Sequence, residues 1–258
     1  MKNKKNKSFG SKRSKDFSEF IDQLIHKYEN NPTSTIQINS LSMENTIEKR
    51  RLYDLLNVLV ACDICTKTDS HNYMWNSIKN AKNAVSRISY ELESRAIRES
   101  VEDIFVLPDS PSIGLITTRF IEVFLYLNIN SLNIRDAALA MSSDESHFKP
   151  ILRRLYLVAY LLERIGLFKH SQKIGEYELD VNIKSTCVKS LEKLAKSQEF
   201  PPDSIEYQLN RFGENYLDLI YTSRRMSFID HLRARKAEQT NEAETPKLLM
   251  KNFQGICI

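Results

Sequence analysis

No stretch of this 258-residue chain approaches the ~18 consecutive apolar residues of a membrane-spanning helix. The N-terminus carries no apolar signal segment either, so neither membrane insertion nor secretion is expected. Cysteine is sparse. The four present show no disulfide framework, and a reducing compartment is the default expectation. Cys257 is the penultimate residue, which does not fit a prenylation box. Catalytic signatures are missing as well: there is no Gly-rich phosphate loop, no nucleophile elbow and no H-E-x-x-H. No enzyme activity, cofactor or small-molecule substrate is expected.

Cys62 and Cys65 form a C-x-x-C. A metal site would need two more ligands at suitable spacing, and only His71 lies nearby. A redox motif would need a βαβ context, which the flanking pattern lacks. Both are read as structural residues at a helix–strand junction, and no metal is expected.

What is present is a soluble, globular composition, 41% hydrophobic and 27% charged, long enough for one or two domains. Charge is unevenly placed. Residues 1–78 hold 12 Lys and Arg against 9 Asp and Glu, whereas residues 111–180 hold 8 of each. Residues 1–12 are expected to form a disordered basic arm. With Arg13 and Lys15 it presents Lys2, Lys4, Lys5, Lys7 and Lys12 with no acid. Such an arm can be a solvated tail, a nuclear-import signal or a phosphate-binding segment.

The periodicity predicts a mostly helical α+β chain. Phe17, Phe20, Ile21, Leu24, Ile25 and Tyr28 stripe a helix from Asp16 to about Glu29. Thr35 to Ile38 alternates as a short strand, and Asn39 or Ser40 can cap a second helix. A third helix follows from about Asn45 to Ala61, with Leu52, Leu55, Leu56 and Leu59 on one face. Ile64–Thr68 and Tyr73–Asn76 pair as a hairpin across Asp69 to Asn72. Helix, strand, helix, helix, hairpin is the order of a winged helix, here placed at residues 13–78.

The third helix exposes Arg50 and Arg51, and arginine pairs with guanine O6 and N7 in a major groove. The run Arg50-Arg51-Leu52-Tyr53-Asp54-Leu55-Leu56-Asn57-Val58-Leu59, then Ile64 to Thr68 and Asn72-Tyr73-Met74-Trp75, resembles the winged-helix DNA-binding domain of the E-two-F/DP cell-cycle transcription factors. The resemblance implies that this is the recognition helix and that Trp75 closes the last wing strand. Base contacts are then expected from Arg50 and Arg51. Lys49, Tyr53, Asp54, Asn57 and Lys67 are expected to contact backbone or orient the arginines.

The pattern then repeats. Arg50-Arg51-Leu52-Tyr53 recurs as Arg153-Arg154-Leu155-Tyr156, and Lys7-Ser8-Phe9-Gly10 is echoed by Pro111-Ser112-Ile113-Gly114, which suggests internal duplication. Phe120, Val123, Phe124 and Leu127 stripe a helix, and Asn133 can cap Ile134–Met141. Lys149–Ile165 stands for the recognition helix, and Leu167–Ser171 with Tyr177–Leu179 for the wing. This resembles the atypical branch of the family, which carries two such domains in one chain. Residues 111–183 are therefore expected to be a second, degenerate winged helix, with Lys149, Arg153, Arg154 and Tyr156 as candidate contacts. Leu157, Tyr160 and Leu179 depart from the motif, and Glu176 and Glu178 are expected to face phosphate from the wing.

Residues 79–110 are read as a helical linker, 184–236 as C-terminal helices and 237–258 as a tail. Arg224-Arg225 and Arg233 to Lys236 are expected to add basic surface. The expected function is sequence-specific binding of double-stranded DNA in the nucleus, as a cell-cycle transcription regulator that recognises a GC-core element. The alternatives are an accessory subunit of a larger nuclear enzyme complex and a protein-interaction scaffold working through the second domain and C-terminal helices.

Overall fold

The computed structural model describes residues 10–31, 34–45, 47–197 and 214–239. Most of the basic arm, Pro201-Pro202, Leu209, Phe212 and the chain beyond Gln239, including Cys257, lie outside the described residues. The chain divides into two compact units, with the boundary between Ala81 and Lys82.

The first unit is built from α1 (Gly10–Glu29), β1 (Thr35–Gln37), α2 (Ile38–Asn45), α3 (Lys49–Ala61), β2 (Cys65–Lys67) and β3 (Asn72–Trp75). Its antiparallel sheet has the order β1-β3-β2. The α1 stripe of Phe17, Phe20, Ile21, Leu24 and Tyr28 is buried, as are Leu52, Leu55, Leu56, Val58 and Leu59 of α3. Each such leucine contributes ~1.5–3 kcal/mol by leaving water. Helix α3 ends where Asp63 takes a left-handed conformation, φ 56°, and the Ile64 N–H bonds back to the Leu59 carbonyl.

Several boundaries differ from the pattern. Helix α1 starts at Gly10, within the residues expected to be a loose arm. Ile38 belongs to α2, so Asn39 and Ser40 sit inside the helix rather than capping it. Helix α3 starts at Lys49 because Asn45 closes α2 instead. Those polar residues carry no apolar signal that would place either end.

The second unit contains α5 (Val101–Phe105), α6 (Ile113–Leu127), β4 (Ser131–Asn133), α7 (Ile134–Met141), α8 (Glu145–Arg164), β5 (Phe168–His170), β6 (Glu176–Leu179), α9 (Ile183–Ser197) and α10 (Glu214–Gln239); α4 (Asn80–Ala96) opens at the boundary. Elements α6 to β6 repeat the order of α1 to β3, with a sheet of order β4-β6-β5. The registers match as well. Ile36 faces Tyr73 in the first sheet, and Leu132 faces Tyr177 in the second. Asn133 caps α7 by accepting from the Arg135 N–H. Gly166, φ 73°, stands at the end of α8 where Asp63 stands after α3.

The glycine echo does not mark equivalent places. Gly10 opens α1, whereas Gly114 is the second residue of α6. Helix α8 starts at Glu145 rather than Lys149, capped by Asp144 through the His147 N–H. It has 20 residues against 13 in α3, about two extra turns at its N-terminus.

Residues 79–110, read from the sequence as a helical linker, supply core side chains. Ile88, Leu92, Ile104 and Phe105 are fully buried, and Ser100 and Asp103 form a capping box for α5. Helix α10 packs Tyr221, Phe228 and Leu232 inward. Its arginines are mostly spent on internal contacts rather than basic surface. Arg224 is buried and grips Glu93 with two hydrogen bonds of 2.9 and 2.6 Å. Arg225 donates to the Leu127 and Asn128 carbonyls at the end of α6. Arg235 donates to the Ser143 carbonyl and to Glu102.

Candidate nucleic-acid interface

Helix α3 presents its first turn to solvent. Lys49, Arg50 and Arg51 are exposed, the turn contains no acid, and Glu48 makes no side-chain cap bond. Free N–H groups and the helix dipole make such a turn attractive to phosphate. Among the described residues Arg50 forms no ion pair. The Arg51 guanidinium lies 5.6 Å from the centroid of the Phe17 ring, a cation–π contact that ties it to α1.

Tyr53 is engaged with the wing. Its hydroxyl lies 2.7 Å from His71 Nδ1 in the wing turn. Asn57 accepts from the Tyr73 hydroxyl at 3.5 Å, which is a contact to β3. Asp54 is half-buried on the same helix. Lys67 is exposed at the end of β2 and forms no ion pair among the described residues. The structure therefore gathers Lys49, Arg50 and Arg51 in one turn, sets Lys67 on the wing, and uses Tyr53 and Asn57 to join helix to hairpin.

The wing turn is closed by Asp69. Its carboxylate accepts from the His71 and Asn72 N–H groups and from the Asn72 side chain at 2.8, 3.0 and 2.7 Å. These bonds, led by that from His71, hold the Asp69 carboxyl below its ordinary value. Behind the wing, Trp75 is buried against Tyr28. Cys62 and Cys65 are buried thiols, and burial pushes Cys65 up to about 12. It stays protonated and unreactive, in keeping with a structural role at the junction.

The corresponding surface of the second unit differs. Lys149 and Arg153 are exposed, but Arg154 donates to the Pro111 carbonyl at 2.6 Å. The extra turns of α8 bring Asp144 and Glu145 to its tip. The basic residues of its hairpin face acids: Lys169 lies 3.2 Å from Asp180, the His170 ring lies 2.7 Å from Glu163, and Lys173 lies 3.3 Å from Glu176. Glu176 does not face outward as its place in the wing suggested. It is 3% exposed and accepts from Ser131 at 2.6 Å. Glu178 is partly exposed beside Lys169.

His71 is the residue that sequence reading missed as part of this surface. It drew notice only as a possible metal ligand, since nothing in the pattern pairs position 71 with position 53.

The E-two-F/DP family winged-helix DNA-binding domain matches residues 14–77. The transcription factor-like protein E2FF of Arabidopsis thaliana is 20% identical over 190 residues, 62% of this chain and 54% of that protein. Transcription factor E2F7 of Xenopus tropicalis is 21% identical over 208 residues, 62% of this chain and 24% of that protein. Transcription factor efl-3 of Caenorhabditis elegans is 25% identical over 71 residues, 28% of this chain and 11% of that protein. The chain thus spans about half the length of the plant relative and about a quarter of the frog one.

Proposed function

We infer from the E-two-F/DP family winged-helix DNA-binding domain carried by residues 14–77 that this chain binds double-stranded DNA and regulates transcription in the nucleus. The observation that carries the reading is the first turn of α3. Three exposed cations stand in a first turn that holds no acid, directly after the Glu48 N-cap, on a helix whose other face is locked into the core. Recognition helices of this type meet base edges through their N-terminal residues. Arg50 reads guanine, Arg51 and Lys49 lie nearer the backbone, and Lys67 meets phosphate from the wing. The element has a G·C core, and its genes belong to the cell cycle.

The second reading is that elements α6 to β6 form a tandem winged helix. The matched sheet order and register favour it, as do alignments with the plant and frog factors that cover 62% of this chain. Its tied arginine and paired wing cations make it the lesser DNA contact, so its surface and α10 are also where a protein partner would dock.

The test is selection of duplexes from a random pool by the full chain, followed by titration at fixed salt. Enrichment of one G·C-centred element, lost in Arg50→Ala, supports the reading. Binding without sequence preference refutes base reading.

A further inference from the structure

We propose that His71 is a DNA-backbone contact of the first unit and that Tyr53 is the positioning residue that aims it. The inference rests on the DNA-binding reading above and adds a contact to it.

Every polar group of His71 except one is already held. Its N–H donates to Asp69 Oδ1 at 2.8 Å. Its carbonyl accepts from the Ile38 N–H, at the start of α2, at 3.1 Å. Its Nδ1 lies 2.7 Å from the Tyr53 hydroxyl. Nε2 alone has no partner among the described residues, and the side chain is exposed. The Tyr53 hydroxyl also lies 3.5 Å from the Ser70 carbonyl, but its 2.7 Å contact to Nδ1 is much the shorter. With the hydroxyl donating there, the ring proton sits on Nε2, which is then the donor left over on an exposed side chain. Tyr53 lies one turn from Arg50 on α3, so one hydrogen bond joins the turn that faces bases to the tip of the wing. Neutral donors as well as cations serve phosphate oxygens.

The second unit lacks this device. Tyr156 occupies the place of Tyr53, but Gly175 occupies that of His71, as the Gly175 carbonyl accepting from the Ile134 N–H shows. A Cβ at Gly175 would lie 3.9 Å from the Tyr156 hydroxyl, and φ is +76°, so no side chain readily fills the gap. Tyr156 is left 43% exposed.

The test titrates the full chain and its variants against the duplex enriched by selection and a random duplex of equal length. His71→Ala should weaken both by the same factor, about three- to tenfold, the scale of one hydrogen bond. Tyr53→Phe should weaken both by less, and should add nothing in the His71→Ala background, because Tyr53 acts through the ring. His71→Gln, which keeps a side-chain donor, should recover part of the loss. Wild-type affinity in His71→Ala, a loss confined to the selected duplex, or a full Tyr53→Phe effect without His71 would each overturn the proposal. If Arg50→Ala costs affinity and His71→Ala does not, this inference alone fails. If the wild-type chain binds neither duplex, both fail.

Discussion

The Trp75 indole N–H donates to a carboxylate oxygen of Glu29 at 3.0 Å, joining the last wing strand to the end of α1. The same carboxylate accepts from the Ser77 hydroxyl at 2.8 Å and the Ile78 N–H at 2.9 Å. One side chain thus satisfies three donors where the domain closes. Trp75→Ala should destabilise the first unit by ~3–5 kcal/mol through the cavity it leaves, while Trp75→Phe should cost less. Proteolysis of the first unit at increasing urea checks this, since it needs no tryptophan signal. A Trp75→Ala midpoint equal to that of the wild type would show that the ring adds nothing.

Acid should loosen this corner. Desolvation raises the Glu29 carboxyl, but the bonds from Ile78, Ser77 and Trp75, with nearby Lys79, outweigh it, and the net shift is below the ordinary 4.5. A depressed carboxyl stabilises the fold fully above its unfolded value and loses that contribution as pH falls through the folded value. Urea midpoints followed by Trp75 fluorescence should fall as pH drops below about 4.5. Glu29→Gln should flatten the profile. An unchanged slope in that variant would assign the acid sensitivity to other groups.

The Arg224–Glu93 pair makes a different prediction. Both side chains are buried, with Tyr221 and Tyr126 against the guanidinium. Removing one partner leaves an uncompensated charge, so Glu93→Leu should cost ~3–5 kcal/mol. The double variant Glu93→Leu/Arg224→Met should recover much of it, because an apolar pair of similar size avoids desolvation. Equal loss in the single and double variants would mean that the pair's geometry matters more than its charge.

These pairs show where the sequence could be read and where it could not. The leucine face of α3 and the wing were legible because periods of 3.6 and 2 are local signals. So was the Arg50-Arg51 turn, since exposure follows from the buried face opposite. Helix ends were not: residues 10–15 and 145–147 are without an apolar side chain and could as well have been loop. Nor were the roles of Arg224, Arg225 and Arg235, whose partners Glu93, Leu127 and Ser143 are distant in sequence. Glu176 was misjudged for the same reason. Alternation puts it on the outer face of its strand, and only the fold covers it with Ser131 and Lys173.

On DNA, Arg50 and Arg51 should not be equivalent. Arg50→Ala should lower specific affinity by ~1–3 kcal/mol and relax preference at one G·C position. Arg51, held over Phe17, should cost less specificity and more of the salt dependence. Base-by-base competition at two salt concentrations separates the effects. Identical profiles for the two variants would mean that Arg51 leaves the ring and reads a base as well.

The last prediction concerns the two arginine pairs. Repulsion from Glu176 does not bear on it, because that carboxylate is buried. Three other features do. Arg154 is committed to the Pro111 carbonyl, so only Arg153 is available for a base. The two extra turns of α8, tipped by Asp144 and Glu145, extend the end that a recognition helix inserts, and acid there opposes phosphate. The hairpin cations Lys169 and Lys173 already face acids, so counterion release gains little from them. Arg50→Ala/Arg51→Ala should therefore abolish specific binding, and Arg153→Ala/Arg154→Ala should weaken it by a smaller factor. Arg154→Lys should refine the point. Lysine keeps the charge but not the guanidinium geometry that reaches the Pro111 carbonyl, so a loss of thermal stability without loss of affinity would mean that this contact serves the fold and that Arg154 reads no base through its guanidinium. Titration of one labelled duplex with each folded double variant decides the matter. If the second pair proves as costly as the first, the second unit reads DNA as an equal partner despite its acidic tip.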